Sequence, residues 1–245
     1  MQGRFLAVLA ASLFLLTVLI RAPASWALKF APAAVNCSLP AGSLWRGSCT
    51  RMSVAGVELS DVAWILHPWP LLRAHLDLDL SSADARAPGS VHLSISPGGH
   101  LVLRELHAQL PIGTDFLPLF PTTWSGRLRL EFTRVEFEEQ RLRVLQGTAT
   151  ASDLAQRQPP IVYGSYELQF GDAARGSEVI AGKLRDLGGP LAVTGTLRLR
   201  NGSEYELHGL VSARSGASAE LVKGVEFLGA SDAQGRRPFS LAGTL

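Results

Sequence analysis

From about residue 40 onward, apolar and polar side chains alternate with a period of two. His75-Leu76-Asp77-Leu78-Asp79-Leu80 is the clearest run, and Val91-His92-Leu93-Ser94-Ile95 repeats it. Arg127-Leu128-Arg129-Leu130-Glu131-Phe132, Arg141-Leu142-Arg143-Val144, Tyr166-Glu167-Leu168-Gln169-Phe170 and Thr196-Leu197-Arg198-Leu199-Arg200 continue the pattern. This spacing sends successive side chains to opposite faces of a strand, and a helix does not produce it. Each strand therefore has one wet face, which favours an antiparallel sheet over the doubly covered strands of a parallel α/β fold. Asn201-Gly202 separates two such runs and accepts the positive φ of a tight hairpin, and Pro97-Gly98-Gly99 marks another turn. Helix is predicted to be scarce: one turn over residues 114–119 between prolines, and a short amphipathic helix over residues 218–228. Residues 155–160 and 173–177 read as exposed loops. No compositional break divides the chain, so residues 29–245 are expected to form a mainly β, elongated domain, with a candidate subdivision near 155–162. A membrane barrel fits poorly: its strands need about 9–11 residues and aromatic girdles, whereas the apolar stretches here are shorter and aromatics make up 7%.

The N-terminus breaks the pattern. Residues 5–20, FLAVLAASLFLLTVLI, are sixteen residues without a charge, with Phe5, Leu13, Leu16 and Ile20 spread along them. At about 1.5 Å rise per residue the stretch spans roughly 24 Å, slightly less than a hydrocarbon core of about 30 Å. Residues 22–28 can extend the helix and place Trp26 in the far interface, which makes residues 1–28 a membrane anchor. Small residues at Ser25 and Ala27 equally suit a signal segment cleaved after Ala27. Both readings stay open, and both place the β-rich domain beyond the membrane.

Charge sharpens this division. The chain carries 23 Lys+Arg against 21 Asp+Glu, a formal +2, and Arg4 and Arg21 at the two ends of the apolar stretch account for the excess. A balanced remainder has no basic stripe of the kind nucleic-acid affinity relies on, so nucleic acid is excluded as a partner. Cys37 and Cys49 are the 2 cysteines, just beyond the anchor. In an oxidising compartment a disulfide between them is the simplest reading, and two unlinked buried thiols are the alternative.

Catalytic chemistry is not visible. No Gly-x-Ser-x-Gly elbow and no phosphate-cradling Gly-rich loop occurs. His67, His75, His92, His100, His107 and His208 are spread singly; His75 and His92 lie on the polar phase of their strands and read as solvated residues rather than ligands. Asp77 and Asp79 read as the wet side of LDLDL. Glu136, Glu138 and Glu139 beside Arg134, Arg141 and Arg143 read as charge pairs across a hairpin. No catalytic, cofactor-binding or metal-binding residue is assigned, and the protein is expected not to be an enzyme.

A series of Trp, Pro and Gly landmarks remains. Gly42, Trp45 and Gly47 are followed by Trp64, Leu66 and Pro68 with Leu71-Leu72, then Leu110-Pro111, Gly164 with Tyr166, and Asp186 with Gly189-Pro190-Leu191. Gly195, Tyr205 with Gly209, Leu228-Gly229, Asp232, Gly235-Arg236 and a closing Gly243-x-Leu245 complete the order. Individually these residues read as packing and turn positions. In this order they resemble the type II secretion system protein N family, also called general secretion pathway protein N. Arg73 and Gln146 depart from that pattern, at positions where a small residue and a large aromatic are more usual.

The resemblance implies a single-pass protein of the cell inner membrane with a periplasmic, curved antiparallel sheet related to AsmA-like proteins. It implies a non-enzymatic accessory component of the machine that exports folded proteins across the Gram-negative outer membrane. The expected partners are the inner-membrane platform and other components of that machine, docked on strand edges or one sheet face. The alternative is a periplasmic lipid-binding or lipid-transfer module whose apolar sheet face lines an open groove.

Overall fold

The computed structural model describes residues 10, 13–14, 17–18, 20–29, 35–54, 57–113, 123–171, 179–200 and 204–244. Phe5, Leu16, the helical turn expected over residues 114–119, the loop expected over 173–177, the Asn201-Gly202 turn and Leu245 lie outside them. The N-terminal positions that are described are helical where they precede Arg21, with Leu13 and Ile20 exposed. No helix among the described residues is long and apolar enough to cross a membrane.

Thirteen strands follow in chain order: β1 (Val35–Gly42), β2 (Arg46–Val54), β3 (Val57–His67), β4 (Leu76–Ser82), β5 (Gly89–Ile95), β6 (Leu101–Ile112) and β7 (Trp124–Glu138), then β8 (Arg141–Gln156), β9 (Ile161–Phe170), β10 (Val179–Asp186), β11 (Leu191–Arg200), β12 (Glu204–Ala213) and β13 (Arg237–Thr244). They form one antiparallel sheet in which each strand pairs with its neighbours in sequence, from β1 at one edge to β13 at the other. The sheet is curved and does not close. Thirteen strands about 4.8 Å apart make an arc of roughly 60 Å. The β8–β9 connection lies between Gln156 and Ile161; Ala155 and Gln156, expected in an exposed loop, instead end β8 and pair with Val162 and Ile161.

Alternation and register together build the core. Leu66, Leu78, Leu93, Leu103, Val135 and Leu145 are successive cross-strand partners from β3 to β8. Leu106, Phe132, Gly147, Phe170, Gly182, Leu197, Leu207 and Leu241 form a second such row from β6 to the β13 edge. All these residues lie on one face. A one-residue slip in any hairpin would turn its apolar set to the wet side, so the rows fix the register. The longest strands, β7 and β8, carry register shifts at Ser125/Arg127, Phe132/Arg134 and Glu136/Phe137, and such bulges add twist and bend the sheet locally.

Large side chains close the middle of this face: Phe132, Val135, Leu145, Phe170, Ile180 and Leu199 form one buried cluster. Short helices cover its two ends. α1 (Ala24–Lys29) sets Ala24 against Cys49, Met52, Val62 and Trp64. A second, four-residue helix, α2 (Pro68–Leu71), sits in the β3–β4 connection. The helix expected over residues 218–228 forms as α3 (Ala219–Glu226), whose Leu221 N–H donates to the Ser218 hydroxyl at 3.4 Å. Its buried Leu221 and Val225 pack on Leu191, Val193 and Val211, and each such side chain contributes about 1.5–3 kcal/mol.

Candidate functional site

The landmark residues gather at two corners of the sheet. At the first, Gly47 is the cross-strand partner of Trp64, whose indole lies over the space a glycine leaves empty. The Trp64 Nε1–H donates to the Leu44 carbonyl at 3.2 Å, and the Trp45 carbonyl accepts from Leu66 N–H at 2.8 Å. The β1–β2 turn is thereby tied to the end of β3, where Pro68 opens α2. Cys37 and Cys49, on the paired strands β1 and β2, are joined by a disulfide with Cα atoms 5.8 Å apart.

The N-terminal segment joins the sheet at this same corner. Pro23 pairs with Ser43, and the Ala22 carbonyl accepts from Leu44 N–H at 2.8 Å. Trp69 and Leu72 of the β3–β4 connection are each 79% exposed, and exposed Arg73 follows them in the chain.

At the second corner, Gly164 and Gly189 bring β9 and the β10–β11 connection into backbone contact. A Cβ on Gly164 would meet the Gly188 carbonyl at 2.8 Å, and both Gly164 and Gly189 have positive φ, so a larger residue is excluded by space and by conformation. Asp186 organises the connection: its carboxylate accepts from Gly188 N–H at 3.2 Å, Val193 N–H at 3.1 Å and the Arg214 guanidinium at 2.5 Å. Burial opposes ionisation of Asp186, but the Arg214 and backbone donors outweigh it and hold the carboxyl below its usual range. The Arg214 guanidinium also donates to the Gly189 and Leu191 carbonyls at 3.1 Å. Tyr166, opposite Asp186 in the ladder, donates its hydroxyl to the Tyr163 carbonyl at 2.6 Å. Burial, with the Asp186 charge adding to it, pushes this phenol up to about 12.

The remaining landmarks are placed singly. Pro111 lies in β6 beside the buried Ile112, the Tyr205 ring covers Gly243, and the Gly229 carbonyl, at a positive-φ turn, accepts from Arg237. The order that carried the resemblance is therefore a set of turns, aromatic caps and one ionic latch distributed along a single open sheet.

A family model described as "Type II secretion system (T2SS), protein N" matches residues 33–240, nearly the whole of that sheet. The chain belongs to the type II secretion system protein N family. The type II secretion system protein N of Aeromonas hydrophila is 26% identical over 256 residues, covering 97% of this chain and 98% of the relative. That of Vibrio cholerae serotype O1 is 26% identical over 246 residues, covering 97% of this chain and 96% of the relative. No solved structure matches the chain. Membership makes the protein a component of a secretion machine, and that machine's other components its partners at the level of the family.

Two surfaces are available to partners. Among the described residues β13 pairs with β12 alone, and Ser240, Leu241 and Ala242 along its edge are exposed. At the β1 edge, β1 packs against α1, and Pro23 bridges to Ser43 just past its end. The polar sheet face is lined with compensated charge: Arg185 pairs with Glu167 at 2.6 Å, Arg143 with Glu138 at 3.2 Å, and Arg134 with Glu136. Two of these pairs come from the residues read as hairpin charge pairs.

Two features were not visible in the sequence. Asp84, in the β4–β5 connection, is buried and accepts from Arg86 N–H at 2.8 Å, from Ser60 N–H at 3.0 Å and from the Arg86 guanidinium. These donors, Arg86 first, hold its carboxyl far below the usual range in spite of burial. The second feature is on the polar face, where register brings His67, Asp79 and His92 together. The Asp79 carboxylate meets His92 Nδ1 at 2.6 Å and His67 Nε2 at 2.7 Å. Hydrogen bonds from His92 and then His67 lower the Asp79 carboxyl. His92 is thus a hydrogen-bonded, part-buried residue rather than a freely solvated one, because the facing Asp79 becomes its neighbour only once β4 and β5 pair.

Proposed function

We propose that the protein is a non-enzymatic accessory component of the type II secretion apparatus. In this reading its N-terminal apolar segment anchors it in the inner membrane, and the open sheet docks other components of the machine in the periplasm. The observation that carries the docking mode is the uncovered β13 edge: its outward N–H and C=O groups are a template for a strand of another protein, and long free edges are rarely left exposed without a partner. The anchor and the periplasmic location are supported by the uncharged sixteen-residue stretch over residues 5–20 and by the disulfide, which suits an oxidising compartment.

Deletion of the gene tests the role, read as release of exported proteins into the medium. The docking mode is tested by the double variant Ser240→Lys with Leu241→Lys, which places a charge on each face of the edge strand at exposed positions. The variant is expected to fold as wild type, to lose capture of inner-membrane components in pull-downs, and to release exported protein at the level of the deletion. Unchanged capture and unchanged secretion would refute docking through this edge.

A further inference from the structure

We propose that His67, Asp79 and His92 form a binding site for a divalent transition metal of the zinc class, on the polar face of the sheet opposite the apolar rows. The three residues come from three adjacent strands. Asp79 in β4 is the direct partner of His92 in β5, and His67, at the end of β3, lies one register step away along the same face. One donor atom from each residue converges, all three within 4.8 Å of one another. Two imidazole nitrogens and one carboxylate are a ligand set typical of zinc sites with three protein ligands, in which the fourth position stays open to water or a further group.

The geometry needs little change to admit the ion. Donors bonded to zinc at about 2.0–2.1 Å in a tetrahedral arrangement sit about 3.3 Å apart, and the two donor pairs now stand 2.6 and 2.7 Å apart across shared protons. Replacing those protons by the metal requires each pair to open by less than about 1 Å and the two imidazole nitrogens, which meet different Asp79 oxygens and lie within 4.8 Å of each other, to close by up to about 1.5 Å. The site is partly open, with the His67, Asp79 and His92 side chains 43%, 44% and 27% exposed, so the ion has access and a free coordination position. Asp79 and His92 also line a depression of about 280 Å³ together with Glu105, which adds a further negative charge beside the cluster. Below it, Asp77 accepts from the Ser94 hydroxyl at 2.7 Å, which steadies β4 against β5 next to the ligands. A bound ion would pin three strands together where β3 turns into α2.

The test uses the full-length chain in detergent, purified without a histidine tag and stripped with a chelator. Titration with Zn²⁺ followed by calorimetry is expected to show one site per chain, and Co²⁺ the d–d absorption of a tetrahedral site. His67→Ala and His92→Ala are each expected to weaken Zn²⁺ affinity by at least about 100-fold, since loss of an outer-shell partner alone costs about 10–100-fold. Asp79→Asn, which keeps the side-chain shape, is expected to weaken it similarly. His75→Ala, whose Nδ1 faces the Arg73 carbonyl outside the cluster, is expected to bind as wild type. Wild-type protein that takes up no stoichiometric Zn²⁺, or cluster variants that bind as tightly as wild type, would overturn the assignment. A sheet-rich circular dichroism spectrum confirms for each variant that lost binding is not lost folding.

Discussion

At the scale of single residues, the most demanding position is Asp84. Its side chain is buried, yet it stays ionised because two backbone N–H groups and the Arg86 guanidinium converge on it. Its folded pKa lies below the unfolded value of about 3.9. The stabilisation is therefore fully present above that value and is lost as pH falls through the folded pKa. Asp84→Asn removes the charge and offers an amide NH₂ to a donor that already needs an acceptor, at an expected cost of about 1–3 kcal/mol near pH 7. Urea denaturation followed from pH 7 to pH 3 should show a smaller loss of stability with acid in the variant than in wild type. Composition carried no sign of this residue: Asp84 stands in a polar loop sequence, and only the approach of Ser60 from β3 makes it a buried latch.

At the scale of elements, paired strands repeatedly set an aromatic ring over a glycine. Trp64 covers Gly47, Phe132 covers Gly147, Phe170 covers Gly182, Phe239 covers Gly209 and Tyr205 covers Gly243, each a direct cross-strand pair. The ring fills the space on the apolar face that the glycine vacates, which restores burial and fixes register. Gly182 isolates the effect, because its backbone is ordinary while an added Cβ would stand 2.6 Å from the Phe170 ring. Gly182→Val is expected to destabilise by about 1–3 kcal/mol through overpacking. In a cycle with Phe170→Ala the two costs should be non-additive, because the second change removes the clash. Additive costs would show that ring and glycine do not interact. The glycines and aromatics were readable as landmarks in the sequence, but their partners were not, since pairs such as Gly182 and Phe170 face each other only through the register of β9 and β10.

At the scale of the whole molecule, strand order places every odd-to-even turn on one side, and the N-terminal segment joins the sheet on that side at Ser43 and Leu44. Trp69 and Leu72, each 79% exposed in the β3–β4 connection and followed by exposed Arg73, occupy the same side. An aromatic and aliphatic pair next to a cation suits a membrane interface, so the proposed orientation sets this rim of the sheet against the bilayer. Alkaline phosphatase, active only when exported, fused after Leu245 is expected to be active in cells. A fusion made at full length but inactive in cells would refute the periplasmic placement.

The period-two pattern by itself determined strands, their antiparallel pairing and the near absence of helix, because alternation is a local property that a one-sided sheet must have. An ordered set of turn and packing residues in the sequence pointed to the family. Which face is core, the meander order with its uncovered β13 edge, the rings over glycines, the Asp84 latch and the meeting of His67, Asp79 and His92 were decided by tertiary structure alone. Each depends on register between strands, and register joins residues far apart in the chain that no local pattern relates.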